Sequence, residues 1–191
     1  MNIRTIRYTY QNQPSTMNNY YSCLALLVGL GLSSLTTIAQ NTLLTTNPHA
    51  QRDIQLVSEY VNALTVSGDQ AKARLLIDPA YMAHGPGAAD SANTEKTMTT
   101  WQTAYQFQTD RKNDFSAQSV RIPWGPMQGD WVLLWGYYGY SDKRGGKAYF
   151  PYHYTAKVAK GKIVSDRLYY DELSVLKGFG FKVIPPGGPT K

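Results

Sequence analysis

The side chains able to move a proton near neutral pH are few and scattered. His84 sits between an extended run, Tyr81–His84, and a Gly-Pro-Gly turn at 85–87. An imidazole there can serve as acid or base, or it can be a structural group bonded to the turn backbone. His153 lies in a strand-like run where Phe150, Tyr152, Tyr154, Ala156 and Val158 share one face. Tyr149, His153, Thr155 and Lys157 share the other, and alternation alone does not say which face looks inward. Asp171 ends the last strand signal on the parity of Tyr169, where it can cap a helix beginning near Glu172. Asp166 shares parity with Val164 and Leu168 and is a weaker candidate. Eight tyrosines fall between Tyr137 and Tyr170. Each pairs an apolar ring with a hydrogen-bonding tip, which suits a pocket, a strand or a wet interface.

Other chemistries are excluded by spacing. His84, His153 and Asp171 would make a two-histidine, one-carboxylate metal set, but they stand singly without ligand spacing, so no metal is expected. Gly178-Phe179-Gly180 follows no strand and is not a phosphate loop. No Gly-x-Ser-x-Gly occurs, and the single cysteine, Cys23, excludes a disulfide framework. No cofactor is expected.

The elements that must position these groups occupy the later part of the chain. Of 191 residues, 42% are hydrophobic, 13% aromatic and 17% charged, which excludes a disordered chain and predicts one domain. Leu24–Ile38 is an apolar run preceded by Arg4 and Arg7 and closed by Ala39, the pattern of a signal peptide over 1–39. Cleavage would remove two arginines and no acid, taking the net charge from +6 to +4. Export to a bacterial periplasm or medium is the expectation, with no membrane contact afterwards. An N-terminal anchor is the alternative. From Lys143 to Lys191 ten basic residues face three acids. They are spread over hairpins and a tail, so no nucleic-acid partner is expected.

Ile54, Val57, Val61 and Leu64 recur at helical spacing within Arg52–Val66. Gly68 stops that helix, and Asp69 caps a second one reaching Leu76. Asp78-Pro79 ends it, and a third helix runs over Thr94–Gln108 with Met98, Trp101 and Tyr105 on one face. The period then changes to two. Strands are predicted at Phe115–Ile122, Trp131–Tyr140, Lys147–Ala159 and Lys162–Tyr170, joined by turns at Gly125-Pro126, Gly145-Gly146 and Lys160-Gly161. Pro151 implies a sheet edge or a bulge. Trp131–Tyr140 is apolar on both parities, as for a strand covered on both faces. Residues 40–50 read as a flexible segment, 51–184 as the domain and 185–191 as a tail.

This order of helices then strands resembles the SnoaL-like and ketosteroid-isomerase-like branch of the nuclear transport factor 2-like (NTF2-like) superfamily, over roughly residues 50–184. The residues that carry the resemblance are Trp131–Gly136 (WVLLWG), Gly161-Lys162-Ile163-Val164, Tyr169-Tyr170-Asp171 leading into Leu173–Phe181, and His84-Gly85-Pro86-Gly87. It implies an α+β cone, with three N-terminal helices packed in a strongly curved antiparallel β-sheet and a pocket at the open end. It further implies a homodimer through the outer sheet face. Candidate ligand contacts are Tyr60, Tyr81, His84, Trp101, Tyr149, His153 and Tyr169. In lyase- and isomerase-like relatives a sheet carboxylate abstracts a proton next to a carbonyl, which makes Asp171, with His84, a candidate catalytic base and Tyr60 a candidate oxyanion donor. No second acid stands clearly in the sheet interior. The expected function is an exported domain binding a small apolar or amphipathic ligand. The alternatives are a cofactor-independent isomerase, cyclase or dehydratase, and a protein-interaction module.

Overall fold

The computed structural model describes residues 5–7, 44–87 and 89–184. The run Leu24–Ile38 lies outside them, and no described helix is long and apolar enough to cross a membrane. A short strand β1 (Thr5–Arg7) pairs in parallel with a late strand, Lys182–Ile184. The main body opens with helix α1 (Ala50–Asn62), which continues as a π-helical turn over Ala63–Ser67. Gly68, at φ 73°, ends that turn in the left-handed conformation glycine tolerates best. Asp69 then caps α2 (Gln70–Leu76) by accepting the Lys72 N–H at 2.9 Å. Strands β2 (Ile77–His84) and β3 (Ser91–Asn93) flank the turn at 85–87, and Asn93 caps α3 (Thr94–Phe107).

Four long strands follow: β4 (Gln108–Ile122), β5 (Gly129–Asp142), β6 (Lys147–Ala159) and β7 (Lys162–Tyr170). Helix α4 (Glu172–Gly178) and strand β8 (Lys182–Ile184) complete the chain. The sheet order is β3-β2-β7-β6-β5-β4. Every pairing in this sheet is antiparallel except β2 beside β7, which runs parallel. At Pro151 the register to β5 is continuous, so there is no bulge. Pairing to β7 begins one residue later, at Tyr152–Tyr170, so Pro151 stands where β6 is locally an edge.

Val57, Tyr60, Val61 and Leu64 on α1 and its π turn pack onto Val132 and Leu134 of β5, Ala156 and Val158 of β6, and Ile163 of β7. The inward parity of β5 is thus Val132, Leu134 and Tyr138, while Trp135 and Tyr137 point outward. Residues 44–49, within the stretch expected to be flexible, are docked. Thr45 exchanges backbone hydrogen bonds with Arg121 at 2.9 and 3.0 Å. The buried Asn47 donates to Asp53 at 2.7 Å and to Ser119 at 2.9 Å. Asp53, fully buried, also accepts two bonds from Arg52, so its charge is compensated.

Candidate functional site

The concave face of the sheet, α1 with its π turn, and α3 enclose a cavity of about 550 Å³. Its wall is largely aromatic: Trp101 from α3, Tyr138 and Tyr140 from β5, Phe150 and Tyr152 from β6, and Tyr170 from β7. These rings brace one another. Tyr138 meets Trp101 edge-on at 6.2 Å and Phe150 edge-on at 5.9 Å, and Phe150 leans on Tyr170 at 5.2 Å. The mouth is marked by the exposed lining residues Asp90, Ser91, Lys96 and Thr100, with the half-buried His84 beside them.

Deep in this cavity stands Asp166, 5% exposed. Its Oδ2 accepts two tyrosine hydroxyls, from Tyr81 at 2.5 Å and from Tyr154 at 2.7 Å. Tyr60 donates in turn to the Tyr81 hydroxyl at 2.8 Å, and the His84 backbone N–H also reaches Asp166. Four elements make this junction: α1 supplies Tyr60, β2 supplies Tyr81, and β6 and β7 supply Tyr154 and Asp166. Burial disfavours the carboxylate and pushes the Asp166 carboxyl up to about 6, against the pull of the three donors. Burial beside that carboxylate pushes all three tyrosine hydroxyls up, so they remain protonated donors. The result is one carboxyl group whose proton is in play near neutral pH, presented at an apolar cavity.

The π turn sets the opposite wall. Widening the helix there frees backbone carbonyls that partners must satisfy. Tyr105 donates to the Leu64 carbonyl, Tyr138 to that of Thr65 at 3.3 Å and Arg111 to that of Val66 at 2.8 Å. Leu64 and Thr65 are thereby held in the cavity lining.

The structure gathers some of the candidates from the sequence and disperses others. Tyr60, Tyr81, His84 and Trp101 all line the cavity. Tyr149, His153 and Tyr169 do not. The parity of β6 and β7 that turns Tyr152, Tyr154 and Tyr170 inward sends these three to the outer face. His153 stacks on Trp135 there at 5.3 Å, and Tyr149 stacks on Tyr137 at 5.2 Å. Asp171 lies outside the lining as well. It caps α4, accepting the Ser174 N–H at 2.9 Å and the Ser174 hydroxyl at 2.5 Å. Those bonds hold its carboxyl below the usual carboxylate range, so it stays charged and occupied. Asp166 is the acid in the sheet interior that strand counting leaves undecided. Its usable signal was shared parity with Leu168 and Tyr170. Among the described residues no cluster of three or more metal-ligating side chains occurs.

No protein-family model and no curated protein matches the chain. Solved structures do. An NTF2-like protein from Burkholderia xenovorans LB400 is 19% identical, with 68% of this chain and 96% of that one covered at a TM-score of 0.53. A protein with a ketosteroid isomerase-like fold from Catenulispora acidiphila is 18% identical, covering 72% and 96% at 0.53. A candidate SnoaL-like polyketide cyclase from Jannaschia sp. CCS1 is 12% identical, covering 70% and 95% at 0.57. Helices cradled by a curved sheet, an aromatic cavity between them and these structural neighbours together identify the fold as the NTF2-like α+β cone.

Proposed function

We propose that the cavity binds a small, largely apolar carbonyl compound and shifts a proton on it without a cofactor, with Asp166 as the base. The observation that carries this is the Asp166 carboxyl itself, lining an apolar cavity with its proton equilibrium moved to about 6. A base poised near the working pH combines a usable charged fraction with a real driving force. Asp166 takes a proton from the carbon next to the carbonyl, and the electron pair moves into the new carbon–carbon double bond. The oxygen gains the charge. The His84 ring, which also lines the cavity, is the donor available to that oxygen, since the Tyr60 hydroxyl proton is already given to Tyr81. Return of the proton to a different carbon completes an isomerisation that balances without a co-reactant. A structural neighbour described as a candidate polyketide cyclase is consistent with this class of chemistry.

Isotope exchange tests this before the natural substrate is identified. A panel of cyclic ketones, from cyclohexenone to 2-tetralone, is incubated with the protein in deuterated water and followed by proton NMR. Protein-dependent loss of the signals next to the carbonyl is expected, rising as pH passes 6 and falling at least a hundredfold in Asp166→Asn. Equal exchange by wild type and variant would remove Asp166 from the role. Ketones that bind with no exchange would leave a pure binding domain. We further propose that the outer sheet face, with its exposed Trp135, Tyr137, Tyr149 and Tyr169, joins two copies of the chain.

A further inference from the structure

The cavity is chemically lopsided along α3. The helix residues in its wall are Lys96, Thr97, Thr100, Trp101 and Ala104, so the lining passes from cationic and polar at the mouth to aromatic farther in. The Lys96 ammonium has no carboxylate within 4.0 Å among the described residues, and its one hydrogen bond there goes to the Ser91 carbonyl at 3.0 Å. The acids near it in sequence are already engaged. Glu95 is held by both Arg74 nitrogens, at 2.5 and 2.8 Å, and Asp90 is turned back onto the Gly87 N–H at 3.0 Å. Next to Lys96, Thr97 is 8% exposed and its Oγ1 has no hydrogen-bond partner. That atom is sealed from the cavity, so the charge recognition at the mouth rests on Lys96. The His84 ring flanks the same end.

Resting on the carbonyl-pocket reading above, we infer that the ligand is amphipathic and anionic: a flat ring system whose carboxylate is held at the mouth by Lys96. The ammonium supplies the charge and keeps two N–H donors free for a carboxylate. The aromatic walls take the rings, and Asp166 meets the body of the molecule instead of its charged end. That division also keeps the ligand's negative charge apart from the Asp166 carboxylate, which would repel it.

Two isosteric probes test this on the full chain by equilibrium dialysis: 2-naphthoate, which is charged, and 2-acetylnaphthalene, which is not. The naphthoate should bind about five-fold tighter, the size of a partly exposed ion pair, and the difference should shrink in high salt. Lys96→Met should abolish the preference, read as the ratio of the two affinities within each variant with the thermal midpoint as the check on folding, and Lys96→Arg should retain it. Equal affinity for the two probes would overturn the anionic assignment and leave the carbonyl pocket standing. Binding of neither probe would remove both.

Discussion

Asp166 sets stability against reactivity. Its carboxyl has an ordinary value of 3.8 in the unfolded chain and about 6 in the folded one, raised first of all by burial. Below about pH 4 the group is protonated in both states and its burial costs little. Between 4 and 6 the unfolded chain releases the proton while the folded chain keeps it, and stability falls with every step in pH. Above 6 the full difference, about 3 kcal/mol for some two pH units, has been lost. Chemistry asks for the opposite, since a base acts only when ionised. Asp166→Asn mimics the protonated form and does not titrate. Urea unfolding at pH 4 and pH 7.5 should therefore show the variant gaining about 2 kcal/mol on wild type over that interval, the rest of the difference lying below pH 4 where the unfolded carboxyl begins to ionise. Carboxylates held low by partners, such as Asp130 beside Arg121, are present in both proteins and cancel. Parallel stability curves for the two would show that Asp166 does not carry its burial cost in the folded state.

The elements succeed by curvature, and β5 shows how it is obtained. Gly136 pairs with Phe115 on β4 and Tyr152 on β6, and a Cβ there would come within 2.6 Å of the Asp114 carbonyl oxygen and 2.7 Å of the Phe115 Cβ. Backbone lies in the way, so nothing can swing aside. At Gly139 the nearest atom is Tyr149 Cδ2, 2.9 Å away on a ring that is 69% exposed and free to rotate. Gly136→Ala should cost about 1–3 kcal/mol in urea denaturation, whereas Gly139→Ala should be close to neutral. Comparable losses at both sites would show that strand flexibility, not the close approach, is what the glycines supply. The same strands show what the sequence could and could not disclose. Helix boundaries are legible because period, Gly68, Asp69 and Asp78-Pro79 act locally, whereas β2 starts at Ile77 instead of Tyr81 and β4 at Gln108 instead of Phe115, where polar residues continue the strand without an alternating apolar signal. The inward face of β6 is not legible, because Phe150–Val158 and Tyr149–Lys157 are both aromatic enough to line a cavity. That ambiguity misplaced Tyr149 and His153, and with them Tyr169, which pairs with His153 across β7 and shares its outer face. Asp166 was obscured differently. A register shift between Lys157 and Val158 turns both Ile163 and Asp166 inward, so counting by twos from Val164 meets no clean apolar face. Asp171 had two local signals, a strand end and a helix start, and the cap prevailed because Ser174 lies at the N3 spacing.

At the scale of the molecule, the sheet has two apolar faces and only one core. The concave face is filled by α1, α3 and the cavity. On the convex face Trp135 and Tyr137 are each 48% exposed and Tyr169 is 46% exposed, an aromatic patch that water covers at a cost. The rings are arranged in cross-strand stacks, Trp135 on His153 with planes 8° apart and Tyr137 on Tyr149 with planes 11° apart. Rings stacked on each other offer edges outward, not flat faces, so the patch is poorly shaped to stack a sugar or a base. Ridges of ring edges are instead suited to interleave with the same ridges on a second copy turned about a two-fold axis. Light scattering after size exclusion should find wild type as a dimer, and Trp135→Glu or Tyr137→Lys as monomers, because a two-fold places each new charge against an apolar surface or its own like. Both variants should keep the cavity's affinity for 2-acetylnaphthalene, since their side chains leave the face opposite Asp166. A monomeric wild type, or variants that remain dimeric, would show that the convex face is not where copies of this chain meet.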